Sequence, residues 1–227
     1  MKKTTCILLA LALLSLGSAN AQTGLRFGVK AGYSLALQYG ISPADDTYTV
    51  ETGNRSGFAG GVLLYIPITE SVGLQQELLY AQKGSTQDVT INLPFNINTV
   101  SEYNLNYFEM PMSVKYRFFK IGDFSVYGST GIALSLLLDG DYNITTTINA
   151  GGPPVVVPES GDMAGLDTFD YSFVYGFGTD FKLLKQDFFF DARMTVGWNT
   201  LQMPNATGAE PVPLRNQDYV FALGMYF

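Results

Sequence analysis

Histidine is absent from this sequence, and its single cysteine, Cys6, falls within the first ten residues. The first absence removes the base on which Ser–His and Asp–His hydrolases and acyltransferases rely. The second excludes an internal disulfide. Charge is also scarce: 15% of residues are Asp, Glu, Lys or Arg, against about 25% in an ordinary soluble domain. Beyond the N-terminal segment no apolar run reaches the roughly 18 residues of a transmembrane helix. A phosphate-binding glycine loop and a basic stripe are both missing, which leaves nucleotide and nucleic-acid binding unsupported. Aromatics, in contrast, are plentiful, with 16 Phe and 14 Tyr but one Trp.

The N-terminus has the layout of an export signal. Lys2 and Lys3 precede an apolar core from Ile7 to Leu16, and Ala19-Asn20-Ala21 supplies a small-x-small cleavage pattern. The apolar core is too short to cross a hydrocarbon layer of about 30 Å. The expectation is a signal peptide over residues 1–21 and a mature domain over residues 22–227. That domain carries 11 Lys and Arg against 20 Asp and Glu, a net charge of 11 − 20 = −9.

What fills the mature chain is alternation. Phe27, Val29, Ala31, Tyr33 and Leu35 alternate with Arg26, Gly28, Lys30, Gly32 and Ser34. The same period of two recurs around Phe58–Ile66, Leu74–Tyr80, Phe108–Phe118, Phe124–Leu138, Phe169–Phe181, Phe188–Trp198 and Tyr219–Phe227. Eight strands are expected. Gaps near Thr69-Glu70, Lys120–Gly122 and Leu184–Gln186 are tight, whereas Gly40–Asn54, Gly84–Glu102, Asp139–Asp167 and Thr200–Asn216 are long. Short turns at one end and long loops at the other predict an all-β fold. It is an eight-stranded antiparallel up-and-down transmembrane β-barrel with short periplasmic turns and long extracellular loops.

A soluble barrel or sandwich would alternate too, so the two faces decide. The polar face is rich in Gly, Ala and Ser, as a narrow packed lumen requires. The apolar face gathers aromatics at strand ends: Phe27, Phe118, Phe124, Phe181, Phe188 and Phe227 near the short turns, Tyr39, Phe58, Tyr80, Phe169 and Trp198 near the loops. Two such girdles mark the interfaces of a bilayer. The last strand ends on Phe227, and closure onto the first strand removes both sheet edges.

The segments FGVKAGYSLA (27–36), LQQELLYAQKG (74–84) and YFEMPMSVKYRF (107–118), with the aromatic C-terminus, resemble the PorT-like outer-membrane β-barrel family. The resemblance spans nearly all of the mature chain. It implies an outer-membrane location and, by analogy with the naming member, an accessory role in type IX protein secretion. It also implies that the terminal strand, through Tyr219, Phe221, Leu223, Met225 and Phe227, is an assembly signal read by the outer-membrane insertion machinery. Pro111, inside the third segment, is expected to mark a bulge.

The expected activity is non-enzymatic, without cofactor or metal. Glu77 and Glu109 are the candidate carboxylate pair, facing each other if the loop between strands three and four closes symmetrically. Their surroundings predict a structural charge network instead. Arg26, Lys30, Lys115, Arg117 and Arg193 oppose Glu77, Glu109, Asp180 and Asp191 in a lumen only wide enough for side chains. Arg193, or else Lys30, is expected between the two glutamates, with Gly61 and Gly131 leaving room.

The long loops carry eleven acids (Asp45, Asp46, Glu51, Asp88, Glu102, Asp139, Asp141, Glu159, Asp162, Asp167 and Glu210) against Arg215 alone. A solvated surface suffices to explain them; binding of divalent cations or of a basic partner is the functional reading. DGDYN (139–143) opens like a calcium loop and then fails, with Ile144 where Gly is required and Ala150 where a bidentate Glu belongs. GGPPVVVP (151–158) reads as a stiff loop tip. The expected partners are the bilayer and lipopolysaccharide, with loop or secretion partners unnamed.

Overall fold

The computed structural model describes residues 24–40, 48–92, 96–163, 168–199, 201–202 and 213–227. The expected export signal lies outside the described residues, as do Asp45, Asp46, Asp167 and Glu210. Strands are β1 (Arg26–Gly40), β2 (Tyr48–Pro67), β3 (Val72–Asn92), β4 (Asn96–Ile121), β5 (Phe124–Asn149), β6 (Val155–Asp162), β7 (Phe169–Leu183), β8 (Gln186–Gly197), β9 (Leu201–Gln202) and β10 (Pro213–Tyr226). Eight form a closed antiparallel ring in the order β1-β2-β3-β4-β5-β7-β8-β10, with β10 returning to β1. The short β6 hangs on β5 and β9 on β10.

Closure follows from side-chain size on the inner wall. At the seam, inward positions Gly28, Gly32 and Ala36 of β1 meet Tyr226, Ala222 and Asp218 of β10. Small residues there leave space for long side chains arriving from other strands, as an eight-stranded ring demands. The outside is the apolar alternate set. Tyr39, Phe58, Tyr80, Phe169 and Trp198 stand exposed at one rim, Phe27, Phe118, Phe124 and Phe227 at the other.

Two of the short turns show different solutions to reversal. Gly122, with φ +56°, precedes Asp123 in a two-residue link between β4 and β5. Leu184 and Lys185 link β7 to β8 with φ of 52° and 68°, the signs a type I′ hairpin requires. Neither residue is suited to that region, where an L side chain costs on the order of 1–2 kcal/mol. Replacing the pair by Asn-Gly is expected to raise the urea unfolding midpoint, equivalent to about 1–2 kcal/mol. An unchanged or lowered midpoint would show that the turn is unstrained.

Three expectations change. Gly84–Asn92, Asn96–Glu102, Tyr48–Asn54 of the first long gap and much of Asp139–Asp167 are not loops: β2 and β3 stay paired to Tyr48↔Ile91, β3 and β4 to Asn92↔Asn96, β4 and β5 to Asn96↔Asn149. Apolar alternation here is brief, as in Val89 and Ile91 or in Tyr142, Ile144 and Ile148, too short to announce a strand, while the Thr, Asn and Val content suits extended pairing. Likewise Val155–Val157, expected at a stiff loop tip, begin strand β6. Pro111 makes no bulge. It pairs with Ala133 on one side, while on the other the ladder lapses between Gln76↔Met112 and Leu79↔Glu109 without a change of register. Proline has no N–H for that ladder, and the Gln76 side chain donates from Nε2 to the Pro111 carbonyl at 3.1 Å.

Candidate functional site

Alternation along each ring strand sends one residue in two into the lumen. Six cations arrive there, Arg26, Lys30, Lys83, Lys115, Arg117 and Arg193, with six acids, Glu77, Glu109, Asp170, Asp180, Asp191 and Asp218. These two sets balance in formal charge, and Arg55, half-buried on the same face opposite Ala36, donates to the Lys83 carbonyl at 3.1 Å.

Its middle layer is an ion-pair chain. Lys30 Nζ lies 2.7 Å from Glu77 Oε2 and 3.0 Å from Asp191 Oδ2. Arg193 Nη1 lies 3.0 Å from the same Glu77 oxygen, and its Nη2 is 3.8 Å from Glu109 Oε2. Lys83 Nζ continues the chain at 2.5 Å from Glu109 Oε1. Gln75 donates to Glu77 at 2.6 Å and Ser135 to Glu109 at 3.0 Å, so both carboxylates have neutral donors as well. No side chain in the chain from Lys30 to Lys83 through the two glutamates and Arg193 is more than 3% exposed.

The periplasmic layer is aromatic. Lys115 bonds Asp180 at 2.6 Å and the Tyr226 hydroxyl at 3.1 Å, with Nζ 3.4 Å from the centre of the Tyr127 ring. Tyr65, Phe189 and Tyr226 surround it further out. Arg117 joins Asp180 at 3.0 Å. The extracellular layer holds Asp218, which accepts from Ser34 at 2.5 Å, and Asp170, which accepts from Asn216 at 2.9 Å. Above them Tyr103, Leu105, Tyr107 and Met163 pack as an apolar cap.

The lumen sites expected from sequence fall into three groups. Lys30, Glu77, Glu109, Asp191 and Arg193 meet in the middle layer, and Lys115, Arg117 and Asp180 meet below it. Among the described residues Arg26 joins no carboxylate. Its guanidinium stands 4.3 Å from the Tyr226 ring centre and 5.7 Å from that of Tyr65. Glu77 and Glu109 are not directly opposite either. The hairpin closes at Asn92↔Asn96, which sets Glu109 against Leu79, while Glu77 lies beside Leu63 of β2. Nor do Gly61 and Gly131 flank the pair: Gly61 lies between Lys30 and Leu79, Gly131 between Ser113 and Val174.

Lys83, Asp170 and Asp218 were overlooked as lumen groups. Lys83 keeps the parity of Glu77 and Ala81, and Asp218 that of Ala222, a signal available but masked by the polar stretches around them. Among the described residues no cluster of three or more Asp, Glu, His or Cys is arranged to hold a metal ion.

Beyond the girdle at the loop end, strands β2 to β6 continue as one sheet. The segments 48–54, 85–92, 96–106 and 139–162 carry Glu51, Asp88, Glu102, Asp139, Asp141, Glu159 and Asp162 with no Lys or Arg. Two like pairs stand directly opposite each other, Glu51↔Asp88 and Asp141↔Asp162. Each is eased by an amide: Asn98 donates to Asp88 and Asn104 to Asp141, both at 2.6 Å.

A closed antiparallel ring of eight strands, apolar and aromatic-banded outside and charged within, defines a transmembrane β-barrel. The chain belongs to the outer membrane protein beta-barrel domain family, whose profile matches residues 20–201, and it is an outer-membrane protein. No curated protein matches it in sequence. Solved structures similar to it include OprG from Pseudomonas aeruginosa, at 10% identity over 89% of this chain and 95% of that one, TM-score 0.48. Ail, the attachment invasion locus protein of Yersinia pestis, is 13% identical over 89% and 98%, TM-score 0.41. The outer membrane protease OmpT from Escherichia coli is 4% identical over 89% and 95%, TM-score 0.44.

Proposed function

We propose that this protein is a non-enzymatic outer-membrane scaffold with a side-chain-filled lumen, which presents its acidic extracellular sheet to a binding partner. The observation that carries the reading is the buried chain Lys30–Glu77–Arg193–Glu109–Lys83, stacked between an aromatic layer and an apolar cap. A passage through the barrel would have to break it, and buried pairs resist breaking because the charge left behind has no solvent. Function then falls to the sheet above the membrane. The reading includes export by a cleaved signal, insertion by machinery that reads the aromatic β10, and contact of the acidic sheet with the lipopolysaccharide layer. The PorT-like resemblance supports the alternative, an accessory role in protein secretion.

Planar-bilayer recording of the purified, unmodified protein is expected to show no steady conductance. A stable ion-selective conductance would mean that the lumen is open and the scaffold reading wrong. Photo-crosslinkers placed at Glu102 and Asp141 then separate the two roles. Recovered secretion components support the accessory role, and other envelope or extracellular proteins the presenting scaffold.

A further inference from the structure

Strand β6 stands at the edge of the extracellular sheet. Its eight residues pair with β5, from Asp141↔Asp162 to Ile148↔Val155, and among the described residues no strand pairs with its other side. Val155, Val156 and Val157 are 56%, 56% and 49% exposed. An open strand edge of this kind presents unpaired N–H and C=O groups, a template on which another extended segment adds. Natural sheets shield such edges with lysine. Here there is none: Pro158, Glu159 and Asp162 shield the second half of the strand and leave the Val155–Val157 half without a charge or a proline.

The charge pattern says what fits. Asp162 lies directly opposite Asp141, which lies opposite Asn104, next but one to Glu102 on the same outward face. Like charges directly opposite on neighbouring strands are destabilising, so this face is improved by a cation arriving beside Asp162. A second copy of the chain is a poor occupant, since it would bring another base-free acidic sheet edge to edge with this one. A segment whose lysines or arginines alternate with apolar residues meets both demands. Its backbone takes up the free edge, and one face of its side chains neutralises Asp162 while the other covers Val155 and Val157.

We propose that the free edge of β6 docks an extended basic segment of a partner protein as an added strand, with Val155 and Val157 as its apolar footing and, on the other face, Asp162 and Asp141 as its charge contacts. This rests on the reading of the extracellular sheet as the presented surface and names the partner's chemistry.

The test uses the full-length barrel in lipid nanodiscs and two synthetic peptides of alternating Lys and Val. One is unmodified and the other is N-methylated at alternate amides, so charge and side chains match while one backbone edge is blocked. The unmodified peptide is expected to bind at least about tenfold more tightly, in keeping with the loss of several main-chain hydrogen bonds. Successive amides of a strand point to opposite edges, so one of Val155→Pro and Val156→Pro removes an outward N–H and should weaken binding several-fold. The variant Asp141→Asn with Asp162→Asn should weaken it and flatten its salt dependence. Equal binding of the two peptides overturns strand addition and leaves the acidic surface as the binding element. Binding of neither also overturns it, while the presented-surface reading stands or falls separately on the crosslinks at Glu102 and Asp141.

Discussion

Replacing Arg193 by Met is expected to be among the most destabilising single changes in the barrel, at about 3–5 kcal/mol. The guanidinium reaches Glu77 at 3.0 Å and Glu109 at 3.8 Å from a position where all three side chains are at most 3% exposed. Methionine fills most of the volume, so the loss isolates the charge rather than the packing. Glu77 retains Lys30 and Glu109 retains Lys83, yet the middle of the lumen gains an uncompensated negative charge. Neutralising both glutamates in the same protein, as Glu77→Gln and Glu109→Gln with Arg193→Met, takes away both carboxylates that faced the lost guanidinium and leaves one positive charge in excess, at Lys83. The triple variant should therefore cost less than the sum of its separate losses. Urea unfolding of vesicle-embedded protein, followed by the fluorescence of Trp198, measures all of these. Additive losses would mean that the three side chains do not act as one network.

Deleting Phe227 should lower assembly in cells much more than it lowers stability in a test tube. Its backbone N–H donates to the Phe27 carbonyl at 2.8 Å, and its ring, 68% exposed, completes the girdle beside Phe27. The equilibrium loss is bounded by the burial of one Phe in lipid, about 1.5–3 kcal/mol. Recognition of the strand by the insertion machinery would add a kinetic loss with no counterpart in refolding into pure lipid. The heat-modifiable folded form recovered from outer membranes should fall several-fold, while refolding into vesicles stays near that of the parent. Tyr219, Phe221, Leu223 and Met225 share the outward face of β10 and should show smaller effects of the same kind. The exposed Glu159→Gln serves as the control. Normal levels of folded protein in the membrane after the deletion would remove the case for a terminal signal.

The contrast between these two sites shows what was legible in the sequence. Phe227 and its alternating neighbours could be assigned to the lipid face directly, because strand geometry makes every second residue share a face. Arg193 could be placed in the lumen by the same parity. Which acids it meets depends on strand stagger, and the hairpin closing at Asn92↔Asn96 displaced the expected Glu77–Glu109 facing by two residues. Arg26 shows the same limit from the other side: its parity is right, but its neighbours are Tyr65 of β2 and, across the seam, Tyr226.

By itself the sequence determined the class of strand, the number of ring strands, their inside and outside, and the two aromatic girdles, since each is a local consequence of period-two patterning in a membrane setting. Only the tertiary structure decided the shear that builds Lys30–Glu77–Arg193–Glu109–Lys83, the aromatic layer around Lys115, and the sheet that β2 to β6 raise beyond the membrane. The first two depend on side chains from strands far apart in the chain, brought to one level by registers that hairpin closure sets. The third depends on pairing between segments whose apolar alternation is brief, so burial leaves little mark in the sequence and backbone hydrogen bonds to a neighbouring strand supply much of the order.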